Sequence, residues 1–265
     1  MPEAKVNGIT INYRVVGQGE PLIMIMELGS AQNSWGFQTG LFKKYYRTIT
    51  FDNRGVGKSD KPTGPYTINM MADDAIGLMD HLGIEKAHIL GISMGGMIAQ
   101  ELAINHPERV DKLVLGCTFA RRDATSGFSS ENSRALEVYD RSSHDEVRIR
   151  RLADILVDLT FNERLYRILA IPLMKIAIRL SALNGFVGQL DAVLAHDAAD
   201  RLGMIKASTL VITGTEDRLI KPISSEVMAN LVPLAKLVKV EGGSQGFCAE
   251  MSSEFNVEVL DFLRN

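Results

Sequence analysis

The stretch Gly91-Ile92-Ser93-Met94-Gly95-Gly96 decides the reading of this chain. Ala87-His88-Ile89-Leu90 precedes it, a short and mostly apolar run that ends at a glycine and reads as a buried strand. Met97-Ile98-Ala99-Gln100-Glu101-Leu102-Ala103 follows with helical spacing, and Asn105-His106-Pro107 ends that helix. Ser93 therefore sits in Gly-x-Ser-x-Gly at a strand-to-helix turn, the context of a nucleophile elbow. A serine held in so sharp a turn leaves no room for a Cβ two residues to either side. The helix that starts at Met94 offers a free backbone N–H and a positive dipole end to an oxyanion. A glycine-rich turn with an incidental serine is the alternative, and it accounts for neither the strand before nor the helix after.

Strands and helices alternate on both sides of this motif. Residues 5–16 read as two strands around the Asn7-Gly8 turn. Residues 21–26 are a continuous apolar run, as in a strand buried on both faces. Helical character over 37–46 precedes a strand over 46–51. Thr67 caps a helix that Gly83 ends, with His81 as a surface residue near its terminus. Residues 110–117 are the next strand. From Thr118 to Arg201 the alternation stops. Helical patterns run over 133–139, 145–160, 162–170, 172–183 and 186–196, with breaks at Ser142-Ser143, Pro172 and Asn184-Gly185. Residues 209–213 resume the sheet, Pro222 starts a helix, 237–240 are the last strand, and 257–263 close the chain as a helix. The expected domains are a core of 1–117 and 202–265 and an all-helical cap of 118–201 over the site. Phe128, Leu156, Leu159, Leu173, Met174 and Phe186 are candidates to line its pocket. Arg148, Arg150 and Arg151 read as a solvated helix face.

The totals narrow the function. A chain of 265 residues buries a large core. A net charge of −3 argues against nucleic acid or an anionic membrane as partner, since both call for a basic surface. Two cysteines, Cys117 and Cys248, are too few for a disulfide framework, which suits a reducing cytoplasm. No secretory signal and no transmembrane run of about 18 apolar residues is visible. The twelve methionines suit an adaptable apolar interior. No Cys/His/Asp cluster has metal-ligand spacing and no dinucleotide fingerprint is present, so neither a metal nor another cofactor is expected. The Gly55-Val56-Gly57 turn fails the spacing of the phosphate-binding motifs.

Four segments together resemble the α/β-hydrolase fold family, in its esterase, lactonase and haloperoxidase-like group. They are Gly17-Gln18-Gly19-Glu20-Pro21-Leu22, the run 51–59 that begins Phe51-Asp52-Asn53-Arg54-Gly55, Gly91 to Gly96, and the run 209–217 that ends Gly214-Thr215-Glu216-Asp217. The resemblance spans almost the whole chain. It implies a mostly parallel eight-stranded sheet flanked by helices, and hydrolysis of small to medium carboxylic esters or lactones through an acyl-serine on Ser93. A small molecule is then the expected partner, and the protein a monomer or homodimer. Serine at the elbow disfavours reactions that use a carboxylate nucleophile. By the same resemblance Asp217 holds the triad acid's position, Asp123 is a weaker candidate, Asp52 and Arg54 tie loops together, and the oxyanion donors are the N–H groups of Met94 and Leu28.

Two positions depart from the family pattern. Glu27 stands where glycine is usual, beside a site that must bind negative charge. Such a carboxyl must be protonated, paired or turned away. It either points to solvent and the loop backbone, or faces the pocket with a shifted pKa and a catalytic role. Gln245 stands in Gly242-Gly243-Ser244-Gln245-Gly246-Phe247, where the family has histidine. Glutamine donates and accepts hydrogen bonds but takes no proton from a serine near neutral pH. Loss of such a base cost about a million-fold in turnover in another serine hydrolase. Among the histidines, His88 reads as core, His106 ends a helix, and His144 and His196 fall in the cap, His196 being the one that could approach from above. Three readings stay open: an inactivated or re-engineered hydrolase, a ligand-binding pseudoenzyme or receptor, and catalysis with Glu27 as base alongside Gln245.

Overall fold

Asn7 and Gly8 both take positive φ, 48° and 77°, and turn the chain back on itself at the start. The computed structural model describes residues 2–122, 146–180 and 183–265, the side chains of 177–180 excepted. Eight strands form one sheet: β1 (Glu3–Val6), β2 (Ile9–Val16), β3 (Pro21–Ile25), β4 (Arg47–Phe51), β5 (Ala87–Ile92), β6 (Val110–Gly116), β7 (Ser208–Gly214) and β8 (Ala235–Val240). Their order is β1-β2-β4-β3-β5-β6-β7-β8. β2 runs antiparallel to both of its neighbours, and all other pairs are parallel. This is the α/β-hydrolase architecture.

The central strands are apolar throughout because both faces are covered. Ile23 and Ile25 of β3, Ile89 of β5 and Leu113 and Leu115 of β6 point into one core. Leu22 and Met24, Leu90 and Val114 point into the other. The period of two sends neighbouring side chains to opposite faces. The first core is covered by helices α2 (Ile68–His81) and α3 (Met94–Asn105), the second by α1 (Gly36–Phe42) and the C-terminal helix. Thr67 caps α2 as expected, its side chain accepting from the Met70 N–H. The 52–59 turn is structural. Asp52 accepts from the N–H groups of Gln32 and Lys58, both at 2.8 Å, and Arg54 pairs with buried Asp74 at 2.5 Å.

Between β6 and β7 the described residues form α4 (Glu146–Asp158), α5 (Arg164–Leu180) and α6 (Leu183–Ala195). The helices α7 (Pro222–Leu231), α8 (Phe247–Glu250) and α9 (Ser252–Arg264) complete the chain. One expected break is absent and another is displaced. Pro172 lies inside α5 on its exposed side, where water can take up the carbonyl that proline leaves unpaired. The break expected at Asn184-Gly185 falls a few residues earlier, since α5 ends at Leu180 and α6 starts at Leu183, and both residues lie in the first turn of α6, where a Cβ on Gly185 would meet the Gly55 backbone. The glycine there permits a close helix-to-loop contact and does not end a helix. The expected helix over 133–139, the Ser142-Ser143 break, Asp123, Phe128 and His144 lie outside the described residues.

The tightest point of the fold is at the elbow. A Cβ on Gly91 would meet the Gly95 carbonyl, and a Cβ on Gly95 would come within 2.7 Å of the Ile25 carbonyl carbon. Both obstacles are backbone and neither can move aside. Gly95→Ala is therefore expected to cost at least about 3 kcal/mol of stability, the upper range for overpacking. Urea denaturation of the two proteins measures it.

Candidate active site

Ser93 opens α3 with φ 79° and ψ −112°, a strained conformation for a residue with a side chain. Its backbone is tied down on both sides. The Ser93 N–H donates to Gly116 O at 2.9 Å, and Thr118 Oγ1 donates to Ser93 O at 2.7 Å. Asp217 follows β7 and Gln245 follows β8, and both are buried. A carboxylate calls for the amide NH2 and a hydroxyl donor for the amide oxygen, which assigns the Gln245 orientation. Ser93 Oγ then donates to the Gln245 oxygen at 3.2 Å, and the Gln245 nitrogen donates to Asp217 Oδ2 at 2.6 Å. Asp217 Oδ1 also accepts from the N–H groups of Leu219 at 2.8 Å and Ile220 at 2.9 Å. Serine, glutamine and aspartate thus form one hydrogen-bonded row.

The row ends at a cavity of about 700 Å³. Ser93, Met94, Glu27 and Leu28 line its floor, and Leu156, Val157, Leu173, Met174, Phe186, Leu190 and Val193 of α4–α6 line its other walls. Leu159 and His196 do not. His196 is buried against Gln100, Glu101 and Phe119 instead. Burial pushes its pKa down to about 4 against the opposing pull of Glu101, so it is neutral at physiological pH. His88 is buried in β5 between Glu20 and Asp111. Among the described residues no group of three His, Cys, Asp or Glu side chains could hold a metal ion.

The sequence pattern of the α/β hydrolase fold matches residues 27–147. Over 257 residues the chain is 30% identical to a protein of Caulobacter sp. (strain K31) named provisionally as the carbamate hydrolase RutD, covering 92% of this chain and 90% of that one. The protein so named in Azorhizobium caulinodans is 28% identical over 265 residues, 99% of this chain and 98% of its own. The chain belongs to the α/β-hydrolase family. The solved enol-lactonase of Burkholderia xenovorans LB400 has the same fold, with a TM-score of 0.87 and 28% identity over 100% of both chains.

Glu27 of this hydrolase does not point to solvent. It is half-buried and lines the cavity. Ser30 Oγ donates to its Oε1 at 3.4 Å. Desolvation pushes its pKa up to about 7, opposed by that hydrogen bond. Asp217 is likewise pushed up to about 7 by burial. The Ile220 and Leu219 N–H groups and the Cys117 thiol pull it back, and Glu27 adds to the rise. Burial pushes both thiols upward, aided by Asp217 and Glu27 at Cys117 and by Glu27 and Glu250 at Cys248, so neither is a ready nucleophile.

Two positioning residues escaped the sequence reading. Gln189, fully buried on α6, accepts from the Gly29 N–H at 2.9 Å and donates to Arg54 O at 2.7 Å. It pins the loop that carries Glu27 and Leu28. Its one sequence signal was a polar side chain amid the apolar residues of a helix. Thr118, which holds Ser93 O, gave none.

Glu27 titrates at about 7 in the folded protein against an ordinary value of 4.5. The folded state therefore holds an extra proton between those values. The associated stability is fully present below pH 4.5 and is lost as pH rises through 7. Glu27→Gln, which mimics the protonated form, is expected to match the parent's melting temperature at pH 4.5 and exceed it at pH 8.5. Melting curves at the two pH values check this.

Proposed function

We propose that this hydrolase cleaves small to medium carboxylic esters or lactones through an acyl intermediate on Ser93. The hydrogen-bonded row of Ser93, Gln245 and Asp217, opening on a mostly apolar cavity, carries the reading. Ser93 Oγ attacks the carbonyl carbon, and the developing oxyanion takes hydrogen bonds from the Met94 N–H, free at the start of α3, and the Leu28 N–H. In the Leu28 turn, the Gly29 and Ser30 N–H groups are already committed to Gln189 and the Glu27 carbonyl. The helices α4–α6 between β6 and β7 serve as a cap on the core, and their apolar side chains bound the acyl group. The names of the relatives support this class of carbonyl substrate and extend it to carbamates.

Gln245 aligns the serine but takes no proton from it. In this reading position 245 limits the rate, as in an inactivated or re-engineered enzyme, and Asp217 is placed to orient a histidine there. A second reading has a specific observation behind it. Glu27 lies on the same cavity with a proton affinity matched to neutral pH, and can serve as the base in place of position 245.

Hydrolysis of p-nitrophenyl butyrate by the parent, Gln245→His, Glu27→Gln and Ser93→Ala tests both readings. Gln245→His is expected to exceed the parent by about a hundredfold or more. Parent activity above the Ser93→Ala blank that is lost in Glu27→Gln assigns the base to Glu27. No activity in either the parent or Gln245→His removes the acyl-serine reading and leaves a ligand-binding protein.

A further inference from the structure

We propose that the cavity is also a site of carbon-acid chemistry: Glu27 moves a proton from the α-carbon to the γ-carbon of an unsaturated ketone, whose carbonyl oxygen is held by the Leu28 and Met94 N–H groups. The substrate class is a neutral, apolar β,γ-unsaturated ketone that becomes its α,β-unsaturated isomer. This reaction shares its oxyanion donors with the proposed ester hydrolysis. It uses neither an acyl-serine nor a base at position 245.

Three observations converge on it. Glu27 immediately precedes Leu28, and both line the cavity with Ser93 and Met94, so the acid and the residues of both proposed oxyanion donors border one space. The carboxyl has little to satisfy it. Its hydrogen bond to Ser30 Oγ, at 3.4 Å, is long. Among the described residues, the ionisable groups whose proton affinity Glu27 raises from neighbouring elements are Asp217 after β7, Cys117 after β6 and Cys248 on α8, and all three are acids. Lys61 lines the cavity, but its ammonium donates to Gly57 O at 2.7 Å and Ser59 O at 3.0 Å. Finally, Leu156, Phe186, Leu190 and Val193 give an apolar wall that admits a neutral ketone.

The chemistry balances without a co-reactant. A carboxylate oxygen of Glu27 takes the α-proton. The C–H pair becomes the new C=C bond, and the carbonyl π pair moves onto oxygen as a dienolate. Glu27 then returns the proton to the γ-carbon, the dienolate pair re-forms the carbonyl, and the carboxylate is regenerated. The cavity holds one negative charge throughout. That charge moves from a poorly solvated carboxylate to a position facing two N–H donors and a helix N-terminus. A site that solvates the oxyanion better than the base drives the transfer.

The test is conversion of 3-cyclohexen-1-one to 2-cyclohexen-1-one, followed by enone absorbance, with α-proton exchange in D2O followed by NMR. It is run in the Ser93→Ala background, where no acyl-enzyme forms. Ser93→Ala is expected to exceed buffer, with a rate that rises as pH increases through about 7 and then levels. Adding Glu27→Gln lowers the rate by about a hundredfold or more, and Glu27→Asp lowers it less. Should Ser93→Ala fail to fold, parent against Glu27→Gln gives the same comparison. Equal rates with and without Glu27, or no rate and no exchange above buffer in folded protein, overturn the proposal. The p-nitrophenyl butyrate assay reads the hydrolase proposal separately, so either can fail alone.

Discussion

The structure depends on one close approach of backbone to backbone, where the start of α3 presses against the end of β3. Gly95 touches the Ile25 carbonyl, and Gly91 touches Gly95. Side chains at these two positions would force the helix away from the sheet. With glycine there, Ser93 is driven to φ 79° and its hydroxyl emerges at the carboxyl edge of β5. The same contact brings the loop after β3 against the N-terminus of α3. Leu28 and Met94 then line one cavity, and Glu27 is carried in with them. Gln189 and Thr118 lock the two sides of this junction by buried hydrogen bonds.

Around that junction the electrostatics are those of an acid-rich, apolar chamber. Asp217 and Glu27 are both pushed to about 7, chiefly by desolvation, and Glu27 makes ionisation of Asp217 harder. A histidine at position 245 would add a cation during turnover and relieve both. Gln245 keeps the geometry of a relay and removes its charge. Proton affinity in the chamber is therefore concentrated in carboxyls. That is why the missing base and the unusual Glu27 belong to one question rather than two.

Some of the sequence reading met its limits where side chains are buried by distant parts of the chain. Pro172 and Gly185 both looked like helix breakers on local propensity. Pro172 is harmless on an exposed helix face, and Gly185 is required by contact with Gly55, 130 positions earlier in the chain. His196 looked able to reach the site, but it packs on Gln100 and Glu101 and does not line the cavity. Neither outcome has a local signal, because each is set by which surfaces meet.

By itself the sequence determined the strand–turn–helix around Ser93, the apolar strands of a two-sided sheet, the hairpin at Asn7-Gly8 and the cap of α2. These follow from short-range sterics, side-chain periodicity and local hydrogen bonds. It also displayed the absence of a titrating group at position 245, which is a matter of composition. Only the tertiary structure decided that Gln245 bridges Ser93 and Asp217, that Glu27 turns inward, and that α4–α6 furnish the apolar wall. The physical reason is that hydrogen bonding and desolvation act through space. The groups that fix the proton affinity of Glu27 and the orientation of Gln245 come from loops after β3, β5, β6, β7 and β8, and only folding sets them side by side.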